Sequence, residues 1–156
     1  MKVIYDIDCL LYFLKFKRTN LLEEEFDKIV ISNKVFNSLN NPSIPDFIKD
    51  QLNVLVVEEF VKVEEISLNT KTFDIYYELI NDHKNQILGD GEASSIAIAI
   101  KNKGTIAYTN PSAISEYLEK YDLKCITLED ILNNLFKEEK ISKSEFEELK
   151  NNLKRY

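Results

Sequence analysis

Residues 2–16 read KVIYDIDCLLYFLKF. An apolar run, Val3 to Tyr5, ends at two acids, Asp6 and Asp8, and the chain returns at once to apolar residues from Cys9 to Leu14. The first run has the length of a buried strand and the second that of the helix behind it. A carboxylate set between two core-forming segments costs free energy to bury unless a cation or a hydrogen-bond donor meets it. The unit therefore raises two expectations: a strand followed by a helix, and a partner for the acids.

The same order recurs downstream. KIVIS (28–32) reads as a strand and NKVFNSL (33–39) as a helix, closed by NNPSIP (40–45). PDFIKDQL (45–52) predicts a short helix with Pro45 in its first turn. NVLVVEEFVKVEEI (53–66) is rich in β-formers and alternates around Val61, Val63 and Ile66, which predicts at least one strand. A helix from about Thr70 through Asp82 places Phe73, Tyr76, Tyr77 and Ile80 on one stripe.

GEASSIAIAIKNKG (91–104) has Ala93, Ile96, Ala97 and Ile100 at helical spacing, with Gly104 as the stop. Alanines on a face permit close approach to a sheet, so this helix is expected to be central. TIAYT (105–109) and KCIT (124–127) read as strands flanking a helix, PSAISEYLEKY (111–121), with Pro111 in its first turn. Thr127 with Asp130, and Ser142 with Glu145, mark the starts of two further helices. Short apolar strands alternating with helices argue for βαβ units. The expected fold is α/β, a three-layer α/β/α sandwich with a central, mainly parallel sheet, in a single domain over residues 1–156.

Composition narrows the function. The chain of 156 residues is 44% hydrophobic and 30% charged, as expected of a globular protein with a sizeable core. No apolar stretch approaches the roughly 18 residues of a membrane span, and Asp6 and Asp8 break the only run resembling a secretory leader, so a cytoplasmic location is expected. Cys9 and Cys125 stand apart in apolar runs and read as buried free thiols. His83, in INDHKNQ, is the single histidine, which disfavours a zinc site or a serine–histidine triad. The net charge is −7, and only Arg18 and Arg155 among the 20 basic residues are arginine. A purely electrostatic nucleic-acid binder is disfavoured. The basic cluster Lys15, Lys17 and Arg18 beside Phe16 reads first as a solvated helix end.

Ligands of open α/β sheets bind beyond the carboxyl ends of the strands. Asp6 and Asp8 follow the first strand, Thr109 and Asn110 follow TIAY, and Asp90 and Glu92 open the alanine-rich helix. Clustered carboxylates repel and raise one another's pKa, and a hard divalent cation with oxygen ligands relieves that strain. Such an ion also draws phosphate to an otherwise acidic protein, which points to phosphoryl transfer or hydrolysis. Taken singly, each residue has a plainer role: Asp6 or Asp8 as a helix cap, Asp90 and Glu92 as helix-start acids, Asn110 as a turn residue.

Taken together, these segments resemble the PIN-domain family of small α/β/α nucleases, which includes toxins of toxin–antitoxin pairs. VIYDIDCLLYFL is similar to the family's opening strand and helix, with Asp6 in the place of the first catalytic acid and Asp8 where Ser or Asn is common. ISNKVFNSL resembles the next motif, with Ser38 where a Glu is usual. GDGEASSIAIA is similar to the segment that opens the alanine-rich helix, which gives Glu92 the next acidic position. In AYTN, Asn110 stands at the later polar strand end, and ITLEDILNNLFKEEKIS looks like the close of one PIN subgroup.

The resemblance implies Mg²⁺- or Mn²⁺-dependent cleavage of RNA. Asp6 and Glu92 would hold the metal, with Asp90 as a further ligand; Asp8 and Asp90 would orient ligands or water, and Asn110 and Ser38 would supply neutral hydrogen bonds. It also implies an antitoxin or other protein partner and a homodimer, and makes Lys15, Lys17 and Arg18 candidates for phosphate contact. Two competing readings stand beside it. One is a catalytically degenerate PIN-like binding module. The other is a haloacid dehalogenase-like phosphatase, suggested by the Asp-x-Asp of YDIDCL and by GDG, although no further Asp follows Asp90 at the spacing that family uses.

Overall fold

The computed structural model describes residues 2–82 and 88–156. Five strands form one sheet: β1 (Val3–Tyr5), β2 (Ile29–Ser32), β3 (Val61–Glu64), β4 (Thr105–Ala107) and β5 (Lys124–Ile126). Their spatial order is β3-β2-β1-β4-β5, and every neighbouring pair is parallel. β1 is therefore the central strand, with Ile4 paired to Val30 on one side and Ile106 on the other.

Residues alternate between the two faces of the sheet as the pleat requires. Val3, Tyr5, Ile29, Ile31, Val61 and Ala107 enter one core, while Ile4, Val30 and Ile106 enter the other. The first core is closed by α1 (Ile7–Lys15), α2 (Thr19–Glu25), α3 (Asn33–Leu39), α4 (Asp46–Val57), α8 (Leu128–Lys137) and α9 (Lys143–Arg155). The second is closed by α5 (Lys71–Ile80), α6 (Asp90–Asn102) and α7 (Ser115–Lys120), the last preceded by a 3₁₀ turn, Pro111–Ile114. Helices on both faces of a parallel sheet make the expected α/β/α sandwich.

α6 is the central helix. Seven consecutive residues, Ala93 to Ala99, are buried in it, including Ser94 and Ser95. Both serine hydroxyls donate back to the Gly91 carbonyl, at 2.9 and 2.8 Å, and Ser94 Oγ also lies 2.7 Å from Ser32 Oγ. These bonds let polar side chains sit in a dry interior.

Three local expectations need correction. Asn53 to Val57, read as part of a β-rich run, completes α4; Ile48, Leu52 and Leu55 form its buried stripe while Val54 and Val57 face outward. Burial of one helical stripe overrides the strand preference of valine. α2 was not foreseen, since only Leu21 and Leu22 of its seven residues are buried and its pattern is too short to show a period. Finally, the left-handed residue ending α6 is Lys103 (φ 49°), not Gly104. Gly104 is needed for a different reason: a Cβ there would lie 2.6 Å from the Lys2 carbonyl oxygen, where β4 comes against β1.

Candidate active site

The carboxyl ends of β1 and β4 lie side by side, and Asp6 is fixed between them. Its backbone N–H donates to the Ala107 carbonyl (3.1 Å), while its own carbonyl accepts from Leu10 in the first turn of α1 (3.2 Å). Asp6 occupies the N-cap position of α1, but its side chain makes no cap bond to that helix. The plain capping role is thereby removed. The residue is only 2% exposed, and Oδ1 is buried with no hydrogen-bond partner. Burial, chiefly, and then the charges of Glu92 and Asp8 push its pKa up to about 7, partly offset by the Ile7 amide.

Asp8, exposed on the first turn of α1, is likewise raised by desolvation and by Glu92. Asp6, Asp8 and Glu92 thus lie within electrostatic reach of one another. Glu92 accepts a hydrogen bond at Oε2 from the Tyr108 hydroxyl, and a long one at Oε1 (3.5 Å) from the Gly89 amide. The second contact is the reciprocal half of a helix-start cap, so the plain role of Glu92 is present in weak form. Desolvation and the hydrogen bond to Glu92 hold the Tyr108 phenol far above its ordinary pKa; it is a donor at every physiological pH. Tyr156 forms another wall. Its hydroxyl donates to the Asp8 carbonyl (2.7 Å), and burial together with Asp8, Cys9 and Asp6 raises its pKa as well.

The remaining sequence candidates are placed elsewhere. Asp90 is exposed and accepts a 2.8 Å hydrogen bond from Tyr76 on α5. Ser38 is exposed on the last turn of α3, and its hydroxyl makes no bond to the acids. Asn110 is exposed and accepts from the Ser112 hydroxyl (2.7 Å), as the turn reading expects. Arg18 is engaged with α9, 3.6 Å from both Glu145 and Glu148. Lys15 Nζ sits 5.6 Å from the centre of the Tyr156 ring, and Lys17 Nζ lies 5.4 Å from that of Phe47. His83 lies outside the described residues. Cys9 and Cys125 are free thiols, the first buried and the second half-buried.

An unpartnered buried carboxylate oxygen facing two further acids fits a divalent cation, because such an ion satisfies the oxygen and cancels the repulsion together. Among the described residues, however, no group of three or more His, Cys, Asp or Glu side chains is arranged to hold one. Asp6 and Glu92 therefore form the core of the candidate site, with Asp8 beside them. Sequence reasoning missed the three tyrosines. Tyr108 could have been flagged as the residue just past a strand end, but nothing in the sequence joins Tyr156 to Asp8 or Tyr76 to Asp90.

No curated protein matches the chain. Several solved structures share its fold. One is a PilT N-terminus domain protein from the hyperthermophilic archaeon Sulfolobus solfataricus P2, with TM-score 0.56, 14% identity, and coverage of 86% of this chain and 92% of that one. Another is FitAB bound to an IR36 DNA fragment, with TM-score 0.53, 9% identity, and coverage of 81% and 94%. The model of the DUF3368 PIN-domain family matches residues 2–156, so the chain belongs to the PIN-domain family.

Proposed function

We propose that this protein is a PIN nuclease that cleaves RNA phosphodiester bonds with the help of Mg²⁺ or Mn²⁺, bound at Asp6 and Glu92. The observation that carries the reading is the Asp6 carboxylate: 2% exposed, Oδ1 unpartnered, and repelled by Glu92 and Asp8. A group held this unfavourably by the apoprotein is well suited to a cation that the fold itself does not supply. When bound, a divalent ion there supplies Lewis-acid polarisation of a phosphodiester and lowers the pKa of a coordinated water.

The chain's own residues do the rest. The β1–β4 pairing fixes Asp6 through the Ala107 carbonyl, and the Tyr108 hydroxyl holds one oxygen of Glu92. Asp8, exposed on the first turn of α1, accepts a proton or orients water. Lys15, over the ring of Tyr156, whose hydroxyl is bonded to the Asp8 carbonyl, is a phosphate contact. The substrate is RNA, the partner is an antitoxin-type protein or a second copy, and the location is the cytoplasm. Among the described residues no helix is long and apolar enough to cross a membrane.

A second reading, a PIN fold that binds without cutting, is favoured by the neutral residues Ser38 and Asn110 and by the lack, among the described residues, of three acids arranged to hold one ion. The test is a cleavage assay in Mn²⁺ with single-stranded RNA, single-stranded DNA and duplex DNA, comparing wild type with Asp6→Asn. Cleavage of RNA by wild type alone is the expected result. Equal activity of the two proteins removes Asp6 from the mechanism, preference for DNA overturns the substrate class, and inactivity of wild type on all three selects the binding module.

A further inference from the structure

Glu92 lies on α6 and Asp6 directly follows β1, and a two-carboxylate site depends on keeping them in register. One side chain joins the elements. Tyr108 directly follows β4, and its backbone N–H donates to the Ile126 carbonyl (3.0 Å), which ties it to β5. The preceding residue, Ala107, accepts the Asp6 amide. The Tyr108 ring is 5% exposed and packs in the same core as Ala93, Ile96 and Ala97 of α6. Its hydroxyl is therefore fixed to the strands that hold Asp6, and it donates to Oε2 of Glu92. Among the described residues the only other hydrogen bond to the Glu92 carboxylate is the long one from Gly89, which alone would leave a flexible side chain poorly oriented.

We propose that Tyr108 is a positioning residue for cation binding: its hydroxyl fixes the Glu92 carboxylate toward Asp6 and thereby raises the affinity of the pair for a divalent metal. The proposal rests on the metal-dependent reading above. The chemistry suits the task. A phenol holds a carboxylate by a hydrogen bond without adding positive charge, so the negative potential that draws the cation is retained, whereas a lysine or arginine in the same place would cancel it. Hydrogen-bonding partners of metal ligands elsewhere contribute about 10- to 100-fold in affinity. The structure also contains an internal comparison. Tyr76 donates to Asp90 at the start of the same helix in the same type of pair, but Asp90 is not among the charges that perturb Asp6.

Mn²⁺ binding to the full chain is measured by titration calorimetry for wild type, Tyr108→Phe and Tyr76→Phe, with the metal-free unfolding midpoint of each. The expected result is an affinity loss of about 10-fold or more for Tyr108→Phe and less than about twofold for Tyr76→Phe. A double variant separates positioning from folding: with Glu92→Gln already in place, Tyr108→Phe should cost no further affinity. Wild-type affinity in Tyr108→Phe overturns the proposal and leaves the metal reading standing. Equal losses with and without Glu92→Gln also overturn it, since they show an effect on the fold. No Mn²⁺ binding by wild type overturns the metal reading, and the proposal with it.

Discussion

The Tyr156 hydroxyl donates to the backbone carbonyl of Asp8 across 148 positions of sequence, at 2.7 Å. It ties the residue after α9 to the first turn of the helix that follows β1. The ring packs edge-on against Tyr12 (5.5 Å between centroids) and Phe16 (6.3 Å), and Tyr12 returns the link through a 2.7 Å bond from its hydroxyl to the Leu149 carbonyl. α9 is thus clasped to α1 next to the acids. Replacing Tyr156 by Phe should cost about 1 kcal/mol, the typical net worth of a hydrogen bond. Replacing it by Ala should cost about 2–3 kcal/mol, since the ring contacts are lost too. Urea unfolding of the three proteins checks both values, and equal stability of the Ala variant and wild type would show that the clasp contributes nothing.

Asp6 should show the conflict between stability and function. Its pKa is raised from 3.8 to about 7 in the folded protein. Between those values the folded state binds a proton that the unfolded state has released, so the metal-free protein loses stability as pH rises from about 4 to about 7 and carries the full penalty above that. At about 1.4 kcal/mol per pKa unit the penalty is on the order of 4 kcal/mol. Asp6→Asn, neutral at every pH, should raise the melting temperature of metal-free protein at pH 8, and the gain should shrink towards pH 4. On the metal-dependent reading, millimolar Mn²⁺ should stabilise wild type and leave Asp6→Asn unchanged. Thermal scans at pH 4, 6 and 8 decide it; a lower melting temperature for the variant at pH 8 would mean that the charge is compensated in the apoprotein.

Most of the element order was legible because β1, β2 and β4 are short, buried and followed by helical sequence, and parallel pairing follows from that alternation. The position of Asp6 was legible for the same reason, since an acid immediately after a central strand has only the sheet edge to occupy. What could not be read is set by contacts between distant segments. The five residues of NVLVV satisfy a strand pattern locally, and only the core under α4 makes them helical. Arg18 looks like a free cation until α9 brings Glu145 and Glu148 to it. Asp90 and Glu92 are two residues apart on one helix, and hydroxyls from two different elements, Tyr76 and Tyr108, hold them separately.

Gly104 provides a test of the packing at the opposite end of the β1–β4 pair. An added Cβ would lie 2.6 Å from the Lys2 carbonyl oxygen and 3.0 Å from Ile4 Cδ1. The first contact is with backbone, so β1 or β4 must shift. Gly104→Ala should destabilise the protein by about 1–3 kcal/mol, in the range of overpacked cores. Because Asp6 sits at the far end of β1, a shift of that strand should also weaken Mn²⁺ binding. Chemical denaturation together with calorimetry measures both effects, and unchanged values would show that the strands separate without cost.

The basic cluster separates into two classes. Arg18 is bound to Glu145 and Glu148, with its Nε buried, so Arg18→Ala should lower stability by leaving that contact unmade. Its effect on RNA affinity should follow only from the loss of fold. Lys15 and Lys17 are exposed, each near an aromatic ring, with no carboxylate partner among the described residues. If they contact phosphate, Lys15→Ala and Lys17→Ala should leave the unfolding midpoint unchanged, weaken RNA binding about equally for all sequences, and each reduce the slope of log affinity against log salt by about 0.7 for a single strand. Binding of a labelled RNA by Asp6→Asn, used to prevent cleavage, at several salt concentrations gives the slopes. An unaltered slope in both lysine variants would assign the cluster to the surface alone, and a reduced slope in Arg18→Ala with intact stability would reverse the assignment of that residue.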